Sequence, residues 1–154
     1  MNFGIALGSN LGDRAANLQR GTDLLLTRVP GIRLNASAQV YETEPVDCAP
    51  GTQAFLNTVI EVAADCLPNE LHAHLKAIEQ ALGRPEQRER NSPRTLDLDL
   101  LYADEVVSDD PVLTLPHPRM HLRRFVLEPL ADIRPELVLP GQKVSVAELL
   151  AGLE

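Results

Sequence analysis

The stretch Arg94-Thr95-Leu96-Asp97-Leu98-Asp99-Leu100-Leu101 sets leucine against aspartate in strict alternation over its middle. Side chains along a strand point to opposite faces in turn. Leu96, Leu98 and Leu100 therefore share one face, and Asp97 and Asp99 share the other. At about 3.3 Å per residue the two carboxylates stand about 7 Å apart on one surface. This strand, read over 95–102, closes the series of elements that fixes the fold class.

Working back from it, residues 2–8 read as a strand that ends at Gly8-Ser9-Asn10. Asp13 precedes a helix over 13–29, with Leu18, Leu25 and Val29 on one face and Pro30-Gly31 as its stop. Residues 32–43 carry Ile32, Leu34, Val40, Tyr41 and Thr43 and read as one strand. The 44–54 segment, with two Pro and a Gly, reads as a long loop. Thr58-Val59-Ile60 and Val62 mark a strand over 55–63. Pro68 suits the first turn of a second helix, whose stripe of Leu71, Leu75, Ile78 and Leu82 is stopped by Gly83. A charged loop covers 84–93. Beyond the Asp strand, 104–118 is polar and Pro-rich. A short helix is expected over 120–132, an extended piece at Leu137-Val138-Leu139, and a last helix over 145–151.

The order β-α-β-β-α-β is that of the ferredoxin-like α+β fold, an antiparallel sheet with two helices on one face. The helical C-terminal appendix is expected on the other face. With no repeat and no Gly/Ser linker, the 154 residues are expected to form a single domain, 1–154. A composition of 44% hydrophobic and 23% charged residues excludes a disordered chain. A net charge of −8 argues against a generic binder of nucleic acid or anionic membrane, because those need a cationic face. No apolar run approaches the ~18 residues of a membrane span. The first residues read as a strand and turn, not a signal peptide. Cys48 and Cys66 lie outside any CxxC or Cys/His spacing, so reduced thiols and a cytoplasmic location are expected.

The positive charge is not spread evenly. Half of the fourteen Lys and Arg residues are Arg84, Arg88, Arg90, Arg94, Arg119, Arg123 and Arg124, in two short stretches flanking the Asp pair. Guanidinium groups bind phosphate in bidentate fashion. Paired carboxylates repel unless a cation lies between them, and magnesium takes such ligands while sharing its shell with phosphates. Together these features point to a polyphosphate substrate. The bland alternatives are an acidic solvent face for Asp97 and Asp99, and surface pairing of the loop arginines with Glu86 and Glu89. Asp is disfavoured in strands, which weighs against the first. No P-loop and no G-x-G-x-x-G occurs. Gly8-Ser9-Asn10-Leu11-Gly12-Asp13 reads as a tight strand–helix turn or a phosphate contact. Phe55 and nearby Asn57 suit either core packing or a flat heterocycle. His72 and His74 point in different directions from their helix. His117 and His121 are separated by Pro118, which breaks the geometry of an i, i+4 metal pair.

Several stretches resemble one family. They are Ala6-Leu7-Gly8-Ser9-Asn10-Leu11-Gly12, Tyr41-Glu42-Thr43-Glu44-Pro45-Val46, Phe55-Leu56-Asn57, Ile78-Glu79 with Gly83-Arg84, Pro93-Arg94-Thr95-Leu96-Asp97-Leu98-Asp99, and Pro116-His117-Pro118-Arg119-Met120 with Arg123 and Phe125-Val126-Leu127. The chain is similar to the 6-hydroxymethyl-7,8-dihydropterin pyrophosphokinases of folate biosynthesis. The resemblance implies pyrophosphate transfer from ATP to the pterin hydroxymethyl group, with AMP and the pterin diphosphate as products. It implies two magnesium ions on Asp97 and Asp99, with Arg84 and Arg94 joining them as catalytic residues. It implies ATP contacts from Glu79, Arg84, Arg90, Arg94, Leu100, Thr114, His117 and Arg123. It places Thr43, Val46, Phe55, Asn57 and Phe125 around the pterin. ATP and the pterin are the expected partners of a monomer, with no nucleic acid and no membrane. The chain departs from the family pattern at Asn91-Ser92, where many members have Trp-Gly; at Glu44, where some have a second Pro; and at Phe55, which lacks the hydroxyl of a Tyr at this position. Two competing readings are a phosphoryl or nucleotidyl transferase built on the same Asp pair, and a non-catalytic binding module.

Overall fold

The computed structural model describes residues 1–44, 53–83 and 95–153. Val46, Arg84, Arg88, Arg90 and Arg94 lie outside the described residues. The elements run β1 (Asn2–Ser9), α1 (Arg14–Arg28), β2 (Arg33–Ser37), β3 (Tyr41–Thr43), β4 (Phe55–Ala63), α2 (Pro68–Ala81), β5 (Asp97–Ala103), β6 (Ser108–Asp109), β7 (Thr114–Leu115), one 3-10 turn (Met120–Leu122), α3 (Arg124–Ile133) and α4 (Val146–Ala151). The main sheet has the order β2-β4-β1-β5, and β3 also pairs with β4. Each of these pairings is antiparallel. The protein is thus a mixed α and β molecule built on an antiparallel sheet.

Alternation divides the sheet into two apolar faces. Phe3, Ile5 and Leu7 of β1, Ile60 and Val62 of β4, and Leu98 and Leu100 of β5 pack with Leu18 and Leu25 of α1 and Leu71, Leu75 and Ile78 of α2. Val59 and Leu101 pack on the opposite face against Met120, Val126, Leu127, Leu130, Leu139 and Val146. The C-terminal helices therefore cover the second face, as expected. Asp13 caps α1 by accepting a hydrogen bond from the Ala16 N–H at 3.1 Å.

Several features differ from the sequence reading, and the first two are insertions into ladders. The expected strand over 32–43 is broken into β2 and β3. Ser37 pairs with Ile60, and Tyr41 with Asn57, so three residues face two across the gap. The Thr58 hydroxyl donates to the carbonyls of Ala38 at 3.2 Å and Gln39 at 3.0 Å, which satisfies the backbone there. In β5, Gly4 pairs with Tyr102 while Ile5 pairs with Leu100, so Leu101 is the extra residue. A bulge shifts the phase of alternation beyond it. Here it turns Tyr102 onto the α3 face, beside Leu101.

The expected helix over 120–132 is likewise two pieces, parted at Arg123, whose backbone is extended at φ −113° and ψ 107°. The β6–β7 ribbon lies in the segment read as polar and Pro-rich. Leu137-Val138-Leu139 belongs to no ladder.

The second bulge has an energetic partner. Glu61, Gly4 and Tyr102 occupy one row across three strands. The Tyr102 ring lies across Gly4 and donates its hydroxyl to Glu61 Oε1 at 2.7 Å. Arg134, which caps α3, donates Nη1 to the same oxygen. Burial and then the bond to Glu61 hold the Tyr102 phenol well above its ordinary range. Burial pulls the Arg134 guanidinium down, but Glu61 beside it outweighs this and the net shift is upward. A Cβ on Gly4 would stand 2.1 Å from the Tyr102 ring. Gly4→Ala is therefore expected to cost about 3 kcal/mol through overpacking. Tyr102→Phe, which leaves Glu61 one bond short, is expected to cost about 1–2 kcal/mol. Urea unfolding of the two variants checks both values and their order.

Candidate active site

The cleft forms where the insertion between β2 and β3 turns side chains of β3 to the face that carries Asp97 and Asp99. Because β3 resumes with Tyr41 opposite Asn57, Thr43 stands opposite Phe55 on the face carrying Asn57 and Val59. On β1 this face presents Ala6 and Gly8 to the cleft. On β5 it presents Asp99 opposite Ala6 and Asp97 opposite Gly8. Small residues on the central strand leave a hollow between the polar groups of β3 and β4 and the carboxylates of β5. The first turn of α3 roofs it with Arg123, Arg124, Phe125 and Glu128. The resulting cleft encloses about 530 Å³.

At one end, Asn57 Nδ2 donates to Thr43 Oγ1 at 2.7 Å. This bond turns the amide carbonyl toward Gly8, where an added Cβ would stand 3.0 Å from Oδ1. Phe55 lies beside this pair. Phe125 faces the cleft while 40% exposed, an unusual state for a large aromatic, and the Arg123 guanidinium stands 5.4 Å from its ring centre. At the other end lie Asp97 and Asp99, both half-buried. Among the described residues no group of three or more His, Cys, Asp and Glu converges as a metal cage. Among the described residues the cleft presents two neighbouring carboxylates at this end, so a cation bound here would draw the rest of its shell from water and substrate oxygens. That division suits magnesium, which keeps several waters and binds through one or two carboxylates plus phosphates.

Of the residues singled out from the sequence, Thr43, Phe55, Asn57, Asp97, Asp99, Arg123 and Phe125 line this one cleft. Glu79, Leu100, Thr114 and His117 are not among its lining residues. Glu79 is buried in α2; its Oε2 accepts from the Leu98 N–H at 2.7 Å, and Lys76 Nζ donates to its Oε1 at 3.2 Å. It holds the helix to the outer edge of β5. The Leu100 side chain belongs to the helical core. Thr114 donates to the Asp110 carbonyl at 3.0 Å. His117 binds the Leu101 carbonyl through its backbone N–H at 2.7 Å, and its Nδ1 accepts from the Arg119 N–H at 3.2 Å. Burial holds this imidazole below its ordinary range, Asp99 opposes the shift, and Arg123 and Arg119 reinforce it. Of the other lining residues, Arg119 and Arg124 were read from the sequence only as part of the basic cluster, and Glu128 was not singled out. The signal for Glu128 was its i, i+4 spacing from Arg124 at the start of α3, where the two pair at 3.7 Å.

The model of the 7,8-dihydro-6-hydroxymethylpterin-pyrophosphokinase family matches residues 4–135. The chain belongs to this pyrophosphokinase family. It is 39% identical over 150 residues to the 2-amino-4-hydroxy-6-hydroxymethyldihydropteridine pyrophosphokinase of Methylorubrum extorquens, covering 97% of this chain and 92% of that one. It is 40% identical over 147 residues to the enzyme of the same name from Pseudomonas aeruginosa, covering 96% and 88%. A crystal structure of HPPK-DHPS in complex with substrates superposes with a TM-score of 0.73 at 13% identity, over 97% of this chain and 44% of that chain. This last likeness shows the shared fold, and the pyrophosphokinase spans less than half of that longer chain.

The floor of the pyrophosphokinase cleft yields a direct test. Gly8→Ala places a methyl group against the Asn57 carbonyl and into the hollow. The expected result is a folded enzyme whose kcat/KM falls about tenfold, the equivalent of about 1.4 kcal/mol. Steady-state kinetics with each substrate varied in turn checks it.

Proposed function

We propose that the two ends of this cleft divide the substrates between them, the pterin on the β3–β4 side and the triphosphate over β5. The family reaction is transfer of pyrophosphate from ATP to the hydroxymethyl group of 6-hydroxymethyl-7,8-dihydropterin, in folate biosynthesis. The observation that carries the division is the row Asn57, Gly8, Asp97. Two strand spacings part the carboxamide from the carboxylate, about 10 Å, with no side chain between them. A bicyclic ring held by the carboxamide then extends its hydroxymethyl arm toward the Asp pair.

In this reading Phe55 and Phe125 grip the faces of the pterin, and Thr43, Asn57 and Val46 meet its edge. Asp97 and Asp99 hold two magnesium ions. Magnesium, when bound, supplies charge neutralisation to the phosphoryl oxygens. Arg123 reaches the triphosphate from the roof, joined by Arg84, Arg90 and Arg94. Glu79, Leu100, Thr114 and His117 flank the ATP along the outer side of β5. The attacking hydroxyl and the departing AMP must lie in line through the β-phosphorus. Positioning and charge stabilisation therefore carry most of the catalysis.

We read the sheet as ferredoxin-like, supported by its element order, its antiparallel pairing and the packing of α1 and α2 on one face. The same reading takes residues 1–154 as one domain, acting as a monomer in the cytoplasm. Both cores share one sheet, which favours a single folding unit.

Asp97→Asn and Asp99→Asn are each expected to lower kcat at least 10³-fold while the melting temperature changes little, a size common for the loss of a group that stabilises transition-state charge. Near-normal magnesium-dependent turnover in either variant would overturn the two-ion assignment. Chromatography of the nucleotide product separates the mechanisms: AMP supports pyrophosphate transfer, ADP phosphate transfer, and free pyrophosphate nucleotidyl transfer.

A further inference from the structure

Arg14, the first residue of α1, lies outside the cleft and touches both strands that build its pterin end. One terminal nitrogen, Nη1, donates to Glu42 Oε2 at 3.0 Å and to the Ala54 carbonyl at 2.8 Å. Glu42 precedes Thr43 on β3, and Ala54 precedes Phe55 on β4. Thr43 and Phe55 are directly paired, and both line the cleft. Alternation puts the Glu42 side chain on the face opposite Thr43. Arg14 therefore works from behind the sheet. It joins the end of β3 to the start of β4, at the last rung of their ladder.

We infer that Arg14 is a positioning residue for the pterin end of the site: its two bonds fix the spacing of Thr43 and Phe55, and through Thr43 the orientation of the Asn57 amide. The inference rests on the assignment of this end of the cleft to the pterin.

The geometry separates this role from simple stabilisation. The Glu42 side chain is 58% exposed, so the ion pair alone contributes little to folding. The Arg14 side chain is only 23% exposed and spends a second hydrogen on a backbone carbonyl that no other described group is seen to bond. Losing Arg14 frees the two strand ends at the point where the substrate ring is held. The carboxylates on β5 lie two strands away and keep their positions.

The test compares Arg14→Ala, Arg14→Lys, Glu42→Gln and Phe125→Ala in the full chain. Each variant is measured for kcat, for KM of each substrate, and for pterin affinity. The chain has no Trp, so the pterin's own fluorescence reports binding without that background. Arg14→Ala is expected to raise pterin KM and Kd about tenfold, the order of one charge-assisted hydrogen bond, with ATP KM and kcat within about twofold. Arg14→Lys is expected to recover part of this loss. Glu42→Gln is expected to have a smaller effect, because the Ala54 bond remains. An unchanged pterin KM in Arg14→Ala, or equal rises for both substrates, overturns the inference. If Arg14→Ala does not fold, Glu42→Gln decides: a selective rise in pterin KM supports the role, and no rise overturns it. Phe125→Ala tests the underlying assignment by itself. If it leaves pterin affinity intact, the pterin end is misassigned. If it weakens affinity while the Arg14 variants do not, only the positioning role falls.

Discussion

A single buried carboxylate oxygen ties this molecule together. Glu61 Oε1 accepts from Tyr102 on β5 and from Arg134 at the end of α3, so one residue of β4 binds a second strand and a helix. The arrangement exists only because Gly4 lies between the two strands and leaves room for the ring above it. A buried ion pair is weak support for stability by itself, since desolvation offsets much of its attraction. Its contribution here is placement. α3 carries Arg123 and Phe125 at its start, and Arg134 anchors its other end to the sheet. A second tie runs from Tyr41 on β3 to Asp132, at 2.7 Å. That bond to a carboxylate, aided by burial and the nearby negative charge, pushes the Tyr41 phenol up to about 12. The roof of the cleft is thus fixed to the strands that form its floor and wall.

The parts of this design that follow a simple period were legible in the sequence. Asp97 and Asp99 face one side because Leu96, Leu98 and Leu100 face the other, and a two-residue period states this directly. The stripes of α1 and α2 were legible for the same reason. The bulges were not. The extra residue among Ala38, Gln39 and Val40, and the extra Leu101, interrupt the alternation without a Gly or Pro to mark them. Yet they turn Thr43 toward the cleft and Tyr102 toward Glu61. Glu79 shows a different limit: its position on α2 was visible, but its bond to the Leu98 N–H depends on how the helix lies against the edge strand. The substrate assignment came from resemblance in residues 6–135. The composition alone supported no more than a polyphosphate site.

The net charge of −8 and the anionic substrate are compatible once the charges are placed. Arg119, Arg123 and Arg124 line the cleft beside the acids Glu44, Asp97, Asp99 and Glu128, whereas Asp104, Asp109 and Asp110 lie outside it. Low-dielectric walls concentrate a local field, so the potential a substrate meets is set by these few groups and not by the net charge of the whole chain.

The contact between α2 and β5 has a consequence beyond the active site. β5 ends the main sheet, and an open strand edge offers N–H and C=O groups on which a second copy can build. Lys76 and Glu79 occupy that edge at Leu98, one donating to its carbonyl at 3.4 Å and the other accepting from its N–H at 2.7 Å. The edge next to the carboxylates is therefore closed to strand addition by the protein's own charged side chains. Glu79, which the resemblance assigns to the ATP site, thus also works with Lys76 to keep a neighbouring molecule from adding a strand at Leu98.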